Sequence, residues 1–151
     1  MTHTTKAPPQ RSAAAKPLSL LRAVGLAYSA PEPIVTPKVL LRLPDMGDFE
    51  AWAALREQSR RFLAPWEPAW PLDDLTRPAD QGYAFFLHRA EDGALVGGLT
   101  LTNVRRGVAQ MVSLGYWMGE AHAGKGYMSA GVRALIPYAS GTLGFRRIEA
   151  A

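Results

Sequence analysis

The order of strand, helix and turn signals in this chain predicts a mixed α/β fold with a mainly antiparallel sheet flanked by helices. Three observations carry that expectation. Strand patterns at residues 83–88, 94–102 and 108–118 follow one another through short turn segments, which makes an antiparallel meander. The third of these runs through a glycine-rich turn, residues 119–126, into apolar positions at helical spacing. A further strand pattern opens at Arg146-Arg147-Ile148-Glu149, near the end of the 151 residues.

Residues 1–33 are rich in Ala, Ser, Thr and Pro and carry Lys6, Arg11, Lys16, Arg22 and a single acid, Glu32. A secretory signal, a transit peptide and a disordered basic tail compete there, and the tail is the preferred reading, because Arg22 interrupts the apolar run at 18–27. Pro31, Pro33 and Pro37 form a stiff approach to a domain expected from residue 34 onward. Val39-Leu40-Leu41-Arg42-Leu43 is a short strand. Asp45 stands where a helix N-cap belongs, and Phe49, Trp52, Ala53, Leu55, Phe62 and Leu63 give the following helix an apolar face. Arg56, Glu57, Arg60 and Arg61 supply its solvated face, and Pro65 ends it.

Three prolines at 65, 68 and 71 exclude regular structure from the loop that carries Trp66 and Trp70. These tryptophans either fold back over the core or wall a substrate groove. In the meander, Glu91-Asp92-Gly93 is the first turn and His88 is read as a surface strand residue. Gly115 inside the third strand marks a bulge or a close approach. In the last helix Met128, Val132, Leu135, Ile136 and Ala139 form the apolar stripe; Pro137 is expected to kink it, and Gly141 and Gly144 to end it.

Composition narrows the function classes. No cysteine is present, which excludes disulfides, thiolate metal sites and cysteine nucleophiles, and suits a reducing cytoplasm. No apolar run approaches the ~20 residues that span a bilayer. The net charge of +4 comes from the first 31 residues; 17 basic residues less those 4 leaves 13, matched by 13 acids. A neutral folded part argues against a nucleic-acid surface.

The glycine turn is the chemical signal. Glycines at a helix start let a ligand approach the backbone, and the unpaired N–H groups with the positive dipole end favour phosphate oxygens. Residues 119–126, Gly-Glu-Ala-His-Ala-Gly-Lys-Gly, have the spacing and lysine of a nucleotide-hydrolase phosphate loop. They lack the Ser or Thr that would hold magnesium, and the meander before them is wrong for that fold. A dinucleotide fingerprint fails on its third glycine.

Taken together, Leu41-Arg42-Leu43, Phe62-Leu63-Ala64-Pro65-Trp66-Glu67-Pro68, Leu114-Gly115-Tyr116-Trp117, Gly124-Lys125-Gly126-Tyr127-Met128 and Arg147-Ile148-Glu149-Ala150 occur in an order that resembles the GCN5-related N-acetyltransferases (GNAT). Within that family they are similar to the group that acetylates ribosomal protein N-termini. The resemblance covers residues 36–151 and implies an acyltransferase that moves acetyl from acetyl-CoA, without a metal, to the N-terminal α-amine of a protein, a ribosomal protein being the acceptor that the group suggests. It implies a pyrophosphate loop of His122, Ala123, Gly124, Lys125, Gly126, Tyr127 and Met128, and a strand edge for the pantetheine arm at Tyr116, Trp117 and Met118. Ala121 departs from the Gln or Arg that the family often has there. Ser113 and Glu120 are the candidates for relaying the amine proton, and Trp66 and Trp70 for the acceptor wall. Family members continue beyond the equivalent of Ala151 with a loop, a helix and two strands, so the domain is expected to be incomplete at its C-terminus. A non-catalytic CoA-binding remnant is the alternative, and a phosphate-loop nucleotide-binding protein the next.

Overall fold

The computed structural model describes residues 31–66 and 82–150. A hairpin of β1 (Ile34–Val35) and β2 (Val39–Arg42) opens the fold. Pro37 sits in its tight turn, where Thr36 N–H donates to Val39 O at 2.9 Å, so it belongs to the sheet rather than to an approach segment. A single turn, Met46–Asp48, leads into α1 (Phe49–Gln58) and the short α2 (Arg60–Leu63). The meander is β3 (Tyr83–Arg89), β4 (Leu95–Arg105) and β5 (Met111–Met118). Another single turn, Glu120–His122, precedes α3 (Tyr127–Pro137), a wide turn Tyr138–Thr142, and β6 (Arg147–Ala150).

The six strands form one sheet in sequence order, antiparallel from β1 to β5, with β6 parallel to β5. The parallel register runs from Met111 opposite Arg147 to Leu114 opposite Ala150. It requires the crossover that α3 supplies.

Helices cover both faces, which is why β3 is buried along almost its whole length. One face sets Val39, Leu41, Phe85, Leu87, Leu99, Leu101, Val112 and Leu114 against Leu135 and Ala139 of the α3 region. The other sets Phe86, Leu95 and Trp117 against Trp52, Leu55 and Leu63. The period of two along each strand divides the residues between these cores.

Asp45 begins the first helical region as its sequence position suggests. Its carboxylate accepts from Gly47 N–H at 2.7 Å, and Asp48 reciprocates by accepting from Asp45 N–H at 2.8 Å. Arg42 clamps Asp48 with two bonds of 2.8 and 2.6 Å, and that guanidinium holds the Asp48 carboxyl below its ordinary range.

Several sequence expectations are corrected by packing. Arg56 is not on the solvated face: it is buried, with its guanidinium 4.6 Å from the centre of the Trp117 ring. Phe49 and Phe62, assigned to the apolar face, are substantially exposed, and the helical run breaks at buried Ser59. His88 is buried rather than at the surface. Gly115 marks a close approach and not a bulge: a Cβ there would stand 2.7 Å from Thr100 Oγ1. The register shifts fall instead at Leu87/His88 and Thr102/Arg105. Pro137 closes α3, and the chain widens directly after it, with Leu143 N–H donating to Tyr138 O. The proline lacks the N–H that a regular continuation would use. Ile136 turns outward from the stripe.

Candidate functional site

Strand β5 delivers the chain to one end of the sheet, and the glycine turn joins it to the N-terminus of α3. Gly124 and Gly126 have φ of +74° and +82°, the left-handed region that side chains avoid. Gly126 is the residue that caps α3. Left-handed positions within a turn leave successive N–H groups directed to one side, a concavity suited to an anion, and the positive end of the α3 dipole adds to it. A Cβ at Gly124 would meet nothing within 4 Å, so the space beside it is open to a ligand.

Beside this turn lies a groove of about 390 Å³ lined by Tyr116 of β5 and by Met128, Ser129, Val132 and Arg133 of α3. The strand alternation explains Tyr116. Val112, Leu114 and Met118 pack toward α3, so Tyr116 shares their face, yet it is half-exposed because it stands over the groove. Trp117 faces the other way and belongs to the second core, edge-on to Phe86. Its indole is no part of the groove wall.

The fold thus brings Tyr116, Met118, Gly124, Gly126, Tyr127 and Met128 to one end of the sheet. Ser129 and Arg133 were missed in the sequence, and Val132 was read only as part of the apolar stripe, although a spacing of three and four residues from Met128 and Ser129 puts Val132 and Arg133 beside them on the helix. His122 is half-buried beside the turn, and its Nδ1 is buried without a hydrogen-bond partner among the described residues. Burial, then the nearby Arg89 and Lys125 charges, push its pKa down, so the ring is neutral near pH 7. Lys125 is exposed.

The two candidates for proton relay are not brought together. Ser113 points to the α1 face, where its Oγ accepts from Asn103 Nδ2 at 3.3 Å, and it pairs with Glu149 of β6. Glu120 is exposed in the turn after β5, and its N–H donates to Ser59 Oγ at 2.9 Å. These two are thus separated by the length of β5. Trp66 is 80% exposed and does not cover the core. Trp70 lies outside the described residues.

Cations reach the turn from distant parts of the chain. Lys38 Nζ, from the β1–β2 turn, donates to the Lys125 carbonyl at 2.8 Å and stands 5.4 Å from the centre of the Tyr127 ring. Arg89, paired with Asp92 through bonds of 2.8 and 2.6 Å, brings a second cation near Tyr127. Among the described residues no group of three His, Asp or Glu side chains could hold a metal ion, and no helix is long and apolar enough to cross a membrane.

Comparison with known proteins matches residues 38–151 to the model of the acetyltransferase (GNAT) domain. A stretch of 71 residues is 39% identical to a probable N-acetyltransferase of Bacillus subtilis, covering 47% of this chain and 39% of that relative. Over 133 residues the chain is 31% identical to the ribosomal protein uS5-alanine N-acetyltransferase of Escherichia coli, covering 78% of this chain and 68% of the relative. Among solved structures, Mycobacterium smegmatis RimJ in complex with CoA-disulfide aligns with a TM-score of 0.65 and 28% identity, over 79% of this chain and 65% of that one.

Proposed function

Since this chain belongs to the GNAT acetyltransferase family, we propose that it binds acetyl-CoA in the glycine turn and adjoining groove and transfers acetyl to the N-terminal α-amine of a protein. The left-handed pair Gly124 and Gly126 at the start of α3, open on the ligand side, carries this reading. The site suits the molecule in its parts: a backbone N–H concavity for pyrophosphate, and beside it a groove lined by Tyr116, Met128, Ser129, Val132 and Arg133 for a narrow arm that carries amides between apolar segments. The relationship to proteins named as ribosomal-protein acetyltransferases supports a ribosomal protein as acceptor and, with it, a cytoplasmic setting.

When bound, acetyl-CoA supplies an activated thioester carbonyl. The rest falls to the protein. Loop N–H groups hold the phosphates, the groove aligns the arm along the β5 edge, and orientation replaces an encounter in solution. An α-amine has an ordinary pKa of about 7.7–8.0, so roughly a tenth or more is neutral at pH 7 and needs little help from a base. Ser113 and Glu120 remain our candidates for relaying its proton and backbone donors of β5 for the developing oxyanion; as the C–N bond forms the C–S bond would break, and the CoA thiolate would leave and take up a proton.

Calorimetry tests the reading. Wild-type protein is expected to bind acetyl-CoA saturably, and ATP with magnesium not at all. The pair of substitutions Gly124→Ala and Gly126→Ala should weaken acetyl-CoA binding by about thirtyfold or more, since each forces a side chain into a left-handed position at a cost of about 1 kcal/mol or more. A folded wild-type protein giving no heat with acetyl-CoA would refute it.

A further inference from the structure

The Lys38 side chain crosses from the β1–β2 turn to the glycine turn, 87 residues away in sequence, and ends on one peptide bond. Its Nζ donates to the carbonyl of Lys125, which is bonded to the nitrogen of Gly126. No cis peptide occurs among the described residues, so in that planar unit the Gly126 N–H points opposite to the Lys125 carbonyl. A carbonyl held against Lys38 therefore turns the Gly126 N–H away from Lys38. A charged donor on the carbonyl also polarises the amide and strengthens its N–H as a donor.

The base of the side chain is rigid. Lys38 N–H and Val39 N–H both donate to Thr36 Oγ1, at 3.3 and 3.0 Å, and the Lys38 carbonyl accepts from Ala90 N–H at 3.0 Å. At the other end the ammonium lies by the Tyr127 ring and stands only 2.9 Å from where a Cβ of Gly126 would be. Gly126 thus serves two needs, a left-handed φ and room for this contact.

We propose that Lys38 is a positioning residue for the pyrophosphate of acetyl-CoA: it acts through the Lys125–Gly126 peptide, orienting the Gly126 N–H toward the anion without touching it. This rests on the acetyl-CoA reading above. The geometry also explains why an ammonium so close to an anion site is directed at a carbonyl of the protein: the cation is spent on the far side of the peptide.

The test compares wild type, K38M and K38R in binding acetyl-CoA and S-acetylpantetheine, which lacks the pyrophosphate, by calorimetry and by competition, with thermal melting alongside. K38M should weaken acetyl-CoA about tenfold, the scale of one charge-assisted hydrogen bond. It should leave acetylpantetheine affinity unchanged and lower the melting temperature by no more than about a few degrees, the cost of one exposed Lys38–Lys125 bond, and K38R should recover most of the loss in acetyl-CoA affinity. If K38M matches wild type for acetyl-CoA, or loses both ligands equally, the positioning role is overturned while the acetyl-CoA reading stands. If folded wild type binds no acetyl-CoA, the reading falls and this inference with it.

Discussion

At the scale of single residues, burial changes what a side chain can do. His88 shows it most directly, because it sits inside the sheet facing Arg42, Asp48 and Asp45. Its Nδ1 lies 3.1 Å from the Gly93 carbonyl, which can only accept, so Nδ1 carries the proton of a neutral ring. Nε2 is buried with no hydrogen-bond partner among the described residues. Desolvation is the largest cause of its depressed pKa; the Gly93 bond opposes it, and Arg42 adds to it. The unfolded chain takes up this proton near the ordinary value of 6.5 while the folded protein resists, so stability falls as pH drops below that value and levels only when the folded ring is protonated. Urea midpoints at pH 7 and pH 5 should show that loss, and His88→Leu should reduce the difference between them. His122, depressed for related reasons, contributes with the same sign.

Whether such residues were legible in the sequence depends on the partner. Asp45 was, since a cap and its helix lie within four residues. Arg56 was not: a ring on β5, 61 positions away, decides whether that guanidinium faces water. Lys38 was invisible for the same reason, because nothing near it in sequence announces the carbonyl it meets.

Among elements, α3 does two jobs. Leu135 and the neighbouring Ala139 press into the sheet, while Met128, Ser129, Val132 and Arg133 line the groove. Leu135 is 1% exposed, and Leu135→Ala should cost about 3 kcal/mol, read as a shift in denaturant midpoint at unchanged slope. Because α3 also carries Gly126 at its start, the same substitution should weaken acetyl-CoA binding as the helix loosens against β2 and β3. The apolar stripe of α3 was readable from its period, but its end was not. Pro137 suggested a kink within a helix, and the structure resolves that conflict with a wide turn directly after it.

For the molecule as a whole, the proposed ligand is a stability term. Acetyl-CoA touching β5, the glycine turn and α3 binds only when all three are assembled, so at a hundred times its Kd it should add about 2.7 kcal/mol. For a domain near this size that corresponds to a rise in melting temperature of roughly 10 °C, and ATP with magnesium should give none. A rise with ATP alone would revive the nucleotide reading that the antiparallel meander and the family match oppose.

The sequence by itself determined the class of fold and the glycine turn at the start of α3, because strand period, helical spacing and paired glycines are local patterns that backbone sterics and hydrogen bonding translate directly into structure. Tertiary structure alone decided which side of β5 faces the groove, why Tyr116 lines it while Trp117 is buried, and that Ser113 and Glu120 stand apart. It also brought Lys38 to the glycine turn. These depend on contacts between residues tens of positions apart, formed when two helices close over opposite faces of one sheet, and no local pattern encodes which distant partner arrives.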